Sequence, residues 1–120
     1  MNDKVNSFED LKVWQYAVEL SIEIYSLLRK SKDFGLKDQL QRSSVSIPSN
    51  IAEGFERHSN KEYIRYLYIA KGSCGELRTQ LYIASKVEEI DNEKGNELVK
   101  KTKEISAMLQ GLINTRKTKF

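Results

Sequence analysis

Glu53 and Glu76 are the residues of this chain whose type and setting could support acid–base chemistry. Each stands in a run of small polar residues, Ser46-Ile47-Pro48-Ser49-Asn50-Ile51-Ala52-Glu53-Gly54 and Gly72-Ser73-Cys74-Gly75-Glu76-Leu77, that interrupts a helical apolar pattern. Such departures from local rules mark special packing or a functional site. Burial beside a like charge drives one carboxyl pKa upward, which would make one glutamate an acid and the other a base. An active site also needs a nucleophile with an orienting base, and none accompanies them. Arg42, Ser46, Asn50, Glu53 and Arg57 step by four, four, three and four, so they form one polar stripe on a helix. Ser73, Glu76 and Gln80 form a second stripe. If the two meet, Arg42 or Arg57 pairs with Glu53 or Glu76, while Asn50 and the serines satisfy one another, as buried polar groups must. The expectation is a buried polar network of Arg42, Ser46, Asn50, Glu53, Ser73 and Glu76 that fixes helix register or assembly geometry, and no catalytic residue.

The remaining reactive groups are few. Cys74 is the one cysteine and His58 the one histidine, so no intrachain disulfide and no zinc cluster can be built from them. A di-iron bundle needs two Glu-x-x-His pairs, which a single histidine cannot supply. His58 falls at a helix joint and Cys74 at a core step, where a buried inert thiol is expected. Gly72 and Gly75 interrupt a helix instead of joining a strand to one, which excludes a phosphate-cradling loop. Their plain reading is close helix contact, accepted against about 1 kcal/mol each. No metal or cofactor is expected.

Charge points elsewhere. The 120 residues carry a formal net charge of +3, but it is unevenly spread. Up to Val99 there are fourteen Lys and Arg against sixteen Asp and Glu, whereas Lys100 to Phe120 holds six basic residues against Glu104 alone. Lys100, Lys101, Lys103, Arg116, Lys117 and Lys119 are therefore the candidate nucleic-acid-binding positions, because clustered cations displace counterions from phosphate. The competing reading is a solvated face with a basic helix end that suits the dipole. Tyr63, Tyr66, Tyr68 and Tyr82 could stack on bases, although their helical spacing also suits packing. The segment Met1 to Asn6 lacks a secretory apolar stretch, and no apolar run is long enough to cross a bilayer. A reducing, cytoplasmic setting with no membrane role is the expectation.

Four helices have to position these groups, over about residues 8–30, 36–56, 60–87 and 92–115 of a single domain covering 1–120. A charged fraction of 31% and a single proline favour helices over a sheet protein. Ser7 with Glu9 and Asp10 starts the first helix. Pro48 lies inside the second and predicts a kink near Ser44, since proline removes one backbone bond at roughly 3 kcal/mol. Ser59 and Glu62 make a capping box for the third, Asp91 caps the fourth, and the end from Thr115 frays. Helices joined by short segments pack most simply as an all-α, antiparallel up-and-down four-helix bundle. The first and third helices carry two apolar seams each, and a lone bundle hides only one per helix. Self-association covers the second.

Three stretches place the chain beside a known family: Phe8-Glu9-Asp10-Leu11-Lys12-Val13-Trp14-Gln15, Gln39-Leu40-Gln41-Arg42-Ser43-Ser44-Val45-Ser46-Ile47-Pro48-Ser49-Asn50-Ile51-Ala52-Glu53-Gly54, and Ile69-Ala70-Lys71-Gly72-Ser73-Cys74-Gly75-Glu76-Leu77. Together they resemble the small four-helix-bundle proteins encoded within intervening sequences of bacterial large-subunit (23S) rRNA genes. The resemblance implies a left-turning up-and-down bundle assembled into a ring, typically a homopentamer. It also implies kinship with the accessory variability protein of diversity-generating retroelements, a basic barrel that binds nucleic acid and a reverse transcriptase. The function expected is a non-enzymatic oligomer that binds RNA or DNA, or a protein that handles nucleic acid, through basic surface. The alternative is a protein-interaction scaffold with no nucleic-acid role.

Overall fold

The turn at Ser7 does not propagate into the first helix. In a computed structural model that describes residues 4–120, Phe8–Asp10 form one 3-10 turn. The Asp10 carboxylate accepts from the backbone N–H groups of Asn6 (2.9 Å) and Ser7 (3.2 Å), so the acidic residue closes the turn on the segment before it. Leu11 is extended, at φ −76° and ψ 124°, and α1 begins after it, spanning Lys12–Leu27. Phe8 packs edge-on against Trp14, 5.3 Å between ring centres, and pins the turn to α1. Met1, Asn2 and Asp3, part of the stretch read for a secretory leader, lie outside the described residues.

α2 spans Phe34–Phe55 and runs unbroken through Pro48. The disturbance expected near Ser44 takes a chemical form: Pro48 has no N–H for the Ser44 carbonyl four residues earlier, and the Ser21 hydroxyl of α1 donates to that carbonyl at 2.8 Å instead. Both serines are buried, so without this bond a buried acceptor would be orphaned. α3 spans Asn60–Lys86, and the Ser59 hydroxyl accepts from the Glu62 N–H at its start. α4 spans Asn92–Lys119, capped by Asp91, which accepts from the Lys94 N–H.

The expected fraying from Thr115 gives way to helix as far as Lys119. Asn60 holds this end twice, donating through Nδ2 to the Arg116 carbonyl (2.9 Å) and accepting from Arg116 Nε (2.8 Å). The Arg116 guanidinium also lies over the rings of Tyr63 and Phe120. Contacts across helices, invisible to a cap search along the sequence, replace the missing cap.

All secondary structure among the described residues is helical. α1 packs on α2 and α4, and α3 packs on α2 and α4, so the four helices stand at the corners of one bundle. Its core is a stripe from each: Val13, Ala17, Leu20 and Ile24; Leu40, Ile47 and Ile51; Leu67, Ala70, Cys74, Leu77 and Leu81; Leu98, Ile105, Leu109 and Ile113, all buried. At about 25 cal/mol per Å² such burial supplies most of the folding drive. The second seams are covered only in part: at α1 Leu28 is buried and Leu11 and Trp14 pack against the core, and on α3 Ser73 and Gln80 are buried. Ile22 and Tyr25 on α1, Ile69 and Ile83 on α3 and Val87 at its end are each at least 40% exposed. None of the helices among the described residues is long and apolar enough to cross a membrane.

Candidate functional site

Each pair of adjacent helices encloses a groove, and the four grooves differ in chemistry. The α1–α2 groove is mainly apolar, with Val18, Ile22, Tyr25, Val45 and Pro48 beside Ser21, Ser26 and Arg29. The α2–α3 groove is polar, lined by Ser43, Ser46, Glu76 and Gln80 among others. Tyr68, Lys71 and Arg78, with Gly72, Gly75 and Ser106, line a shallow, open α3–α4 groove. Glu19, Glu23 and Glu104 face Lys101 in the α4–α1 groove. No group of three or more His, Cys, Asp and Glu among the described residues is arranged to hold a metal ion.

The polar stripes of α2 and α3 meet, but through their neutral members. The hydroxyls of Ser46 and Ser73 bond at 2.9 Å. Asn50 donates through Nδ2 to the Ser46 carbonyl (2.8 Å) and hydroxyl (2.9 Å). One turn away, the Ser43 hydroxyl donates to Gln80 Oε1 at 2.6 Å. Ser43, Ser73 and Gln80 are buried, and among the described residues no buried side-chain polar atom lacks a partner.

Arg42, Glu53 and Glu76 are not brought into this ladder. The Arg42 side chain is 80% exposed and pairs with Asp38 on its own helix at 2.9 Å. Glu53 pairs with Arg57 at 3.2 Å, also along α2 and also in the open. Glu76 is exposed at the rim of the α2–α3 groove. The correction to the expected network has a plain cause: hydroxyls and amides can be buried once mutually bonded, whereas a charge loses its hydration and seeks a partner that keeps it wet. Ser43 and Gln80 take the vacated roles. Gln80 belongs to the Ser73 stripe read from the spacing, and Ser43 precedes Ser46 by about one turn, so spacing could have found it too. With the two glutamates apart and solvated, the acid–base pairing has no shared site. His58 is exposed in the joint between α2 and α3, and Cys74 is fully buried, its thiol pushed up to about 12 by burial although Arg78 nearby acts the other way.

The six basic positions divide. Lys100, Lys103 and Lys119 are exposed. Lys101 is spent on Glu23, donating to both carboxylate oxygens at 3.0 and 2.7 Å, and this bond raises its pKa. Arg116 holds the end of α4, as described above. Lys117 donates to the Tyr68 hydroxyl at 2.7 Å, and that bond, with the positive charge of Lys117 and Lys71, lowers the tyrosine pKa.

Two cations that the sequence reading passed over join Lys117. Lys71 Nζ donates to Gln110 Oε1 at 2.8 Å and Arg78 Nε to Thr102 Oγ1 at 2.9 Å. All three are thus fixed by neutral acceptors, and among the described residues none of them makes an ion pair. The signal was the seven-residue spacing of Lys71 and Arg78, two helical turns along one face. Of the tyrosines, Tyr63 is buried and its pKa raised by desolvation, Tyr66 is half-buried, and Tyr68 and Tyr82 are exposed.

The glycines also divide. A Cβ on Gly54 would come within 2.7 Å of Tyr66 Cβ and 3.2 Å of Tyr63, so here glycine lets α2 and α3 approach closely. Gly72 and Gly75 were expected to serve the same purpose. Instead, a Cβ at either would meet nothing within 4 Å, and no contact within the chain calls for them.

Comparison with known proteins agrees with this architecture. A crystal structure of a protein of unknown function from the S23 ribosomal protein family of Bacteroides thetaiotaomicron matches with a TM-score of 0.79 at 27% identity, covering 84% of this chain and 97% of the other. Among curated proteins nothing matches. The family model described as 23S rRNA-intervening sequence protein matches residues 9–111, and the chain belongs to that family.

Proposed function

We propose that the protein is a non-enzymatic, ring-forming bundle of the cytoplasm that binds nucleic acid, or a protein that handles it, through basic surface and without reading sequence. The observation that carries this reading is the trio Lys71, Arg78 and Lys117, held in place by neutral partners with their charge uncompensated. Positive charge that is positioned yet unneutralised suits a phosphate backbone, whose counterions it releases. Exposed Lys100, Lys103 and Lys119 extend the field.

An antiparallel, up-and-down order is supported by the cross-helix bonds Asn60 to Arg116, Lys71 to Gln110 and Arg78 to Thr102: position rises along α3 as it falls along α4. Ring assembly, a homopentamer in the simplest form, is supported by the exposed parts of the second seams. The α1–α2 groove with Ile22 and Tyr25, and the outer face at α3 with Ile69, Ile83 and Val87, are two separate exposed apolar patches. Two different patches make a head-to-tail contact, which gives a ring when its rotation closes. Repetition multiplies a modest basic patch into a strong field. The free, buried Cys74 suits a reducing compartment.

A salt titration of binding to an unstructured RNA tests the function. The affinity is expected to fall on a straight log–log line between low and physiological salt, with a slope that counts neutralised phosphates. A flat response, or no binding at low salt, would favour the scaffold without a nucleic-acid role.

A further inference from the structure

We infer that the shallow α3–α4 groove is a seat for a single-stranded nucleic-acid backbone, with Lys71 and Arg78 in its lining, and Lys117 at its end beside Tyr68, on phosphates. This deepens the proposed function and rests on it. The groove holds about 400 Å³ of space and has no carboxylate and no aliphatic side chain in its lining. A protein helix laid there would have little apolar surface to bury, whereas a phosphodiester chain needs cations and room. Tyr68 to Arg78 spans about 15 Å of helix at the standard rise, a length of a few nucleotides. Neighbouring helix axes stand about 8–10 Å apart, too close for a duplex to enter between them, but one strand can lie along the cleft. The ring of Tyr68 is exposed at its end, and that of Tyr82 lies on the same stripe of α3, offering stacking faces that accept any base.

The glycines supply an independent argument. Alanine at 72 or 75 would fit the helix without touching anything and would favour helix formation, yet both positions are glycine. A side chain there would project into the open groove, into the space a bound strand would take.

The test measures anisotropy of labelled single-stranded oligouridylate and oligothymidylate of about 10 nucleotides, a size within the range for such sites, and of a duplex of equal length. Both single strands are expected to bind more tightly than the duplex, with a log–log salt slope of about −2 for three phosphates. Lys71→Gln with Arg78→Gln is expected to reduce the slope to about −0.7. Gly72→Ala with Gly75→Ala is expected to raise the Tm while weakening binding severalfold, a split that misfolding cannot mimic. Unchanged binding by the glycine variant, or a duplex bound as tightly as the strands, would overturn the assignment. If Lys100→Gln, Lys103→Gln and Lys119→Gln together abolish binding while the groove variants bind normally, nucleic-acid binding stands and the groove falls. If wild type binds none of the probes at low salt, both fall.

Discussion

Cys74 illustrates how packing decides chemistry at the scale of one residue. Its thiol lies at a core step of α3, and burial pushes its pKa from 9.0 up to about 12. A folded-state pKa above the unfolded one means that the native chain holds a proton the unfolded chain releases. The stabilisation is therefore fully present below pH 9 and lost as pH rises from 9 towards 12. Urea midpoints measured across that range are expected to fall more steeply for wild type than for Cys74→Ala, and parallel curves would show that the thiol is solvated. The same scale explains which site residues could be read from sequence. Ser46 and Asn50 were legible as one face of α2, and Ser73 with Gln80 as one face of α3, because small polar groups on an apolar helix have few other places to go. Arg42 and Glu53 misled, because their partners Asp38 and Arg57 lie four residues away on the same helix, where a pair keeps its water. Spacing marks a shared face but not whether that face turns inward. Gly72 and Gly75 misled in the opposite sense: a helix glycine usually signals close contact, as at Gly54, and only the space around a missing Cβ tells the two uses apart.

At the scale of elements, α2 is the helix that could not stand alone. Its apolar phase continues through Pro48, and the phase is what made one long helix readable. The repair was not readable, since the donor that Ser44 needs comes from Ser21, a buried hydroxyl on α1. Ser21→Ala is expected to cost about 1–3 kcal/mol by orphaning that carbonyl. In a Pro48→Ala background the restored N–H takes over the bond, so the cost of losing Ser21 should shrink, and a double-mutant cycle measured by urea unfolding reads the difference. Additive costs would mean that the two residues act independently. The helix ends carry a similar lesson. Asp33, Ser59 and Asp91 cap as their types dictate, while the last turns of α4 depend on Asn60 and the Tyr63 ring, both contributed by α3.

For the molecule as a whole, the fold follows from periodicity: one seam per helix fills the core, and the seam of α3 from Tyr63 to Ala84 is buried at every step. What periodicity leaves over is a surface with four distinct sides. The apolar side and the outer face of α3 are proposed to join copies, which leaves the basic α3–α4 groove open and repeated around the assembly. The exposed apolar residues are the reason to expect more than one chain. Large apolar side chains exposed in clusters mark interaction surfaces, and Ile22 and Tyr25 at one place and Ile69, Ile83 and Val87 at another are each at least 40% exposed. Light scattering of the purified protein at micromolar concentration tests this most directly. A single species of several protomers is expected, and Ile22→Glu with Ile83→Glu should dissociate it without unfolding the bundle. A wild-type protein that scatters as a monomer would contradict the assembly and the use assigned to both seams.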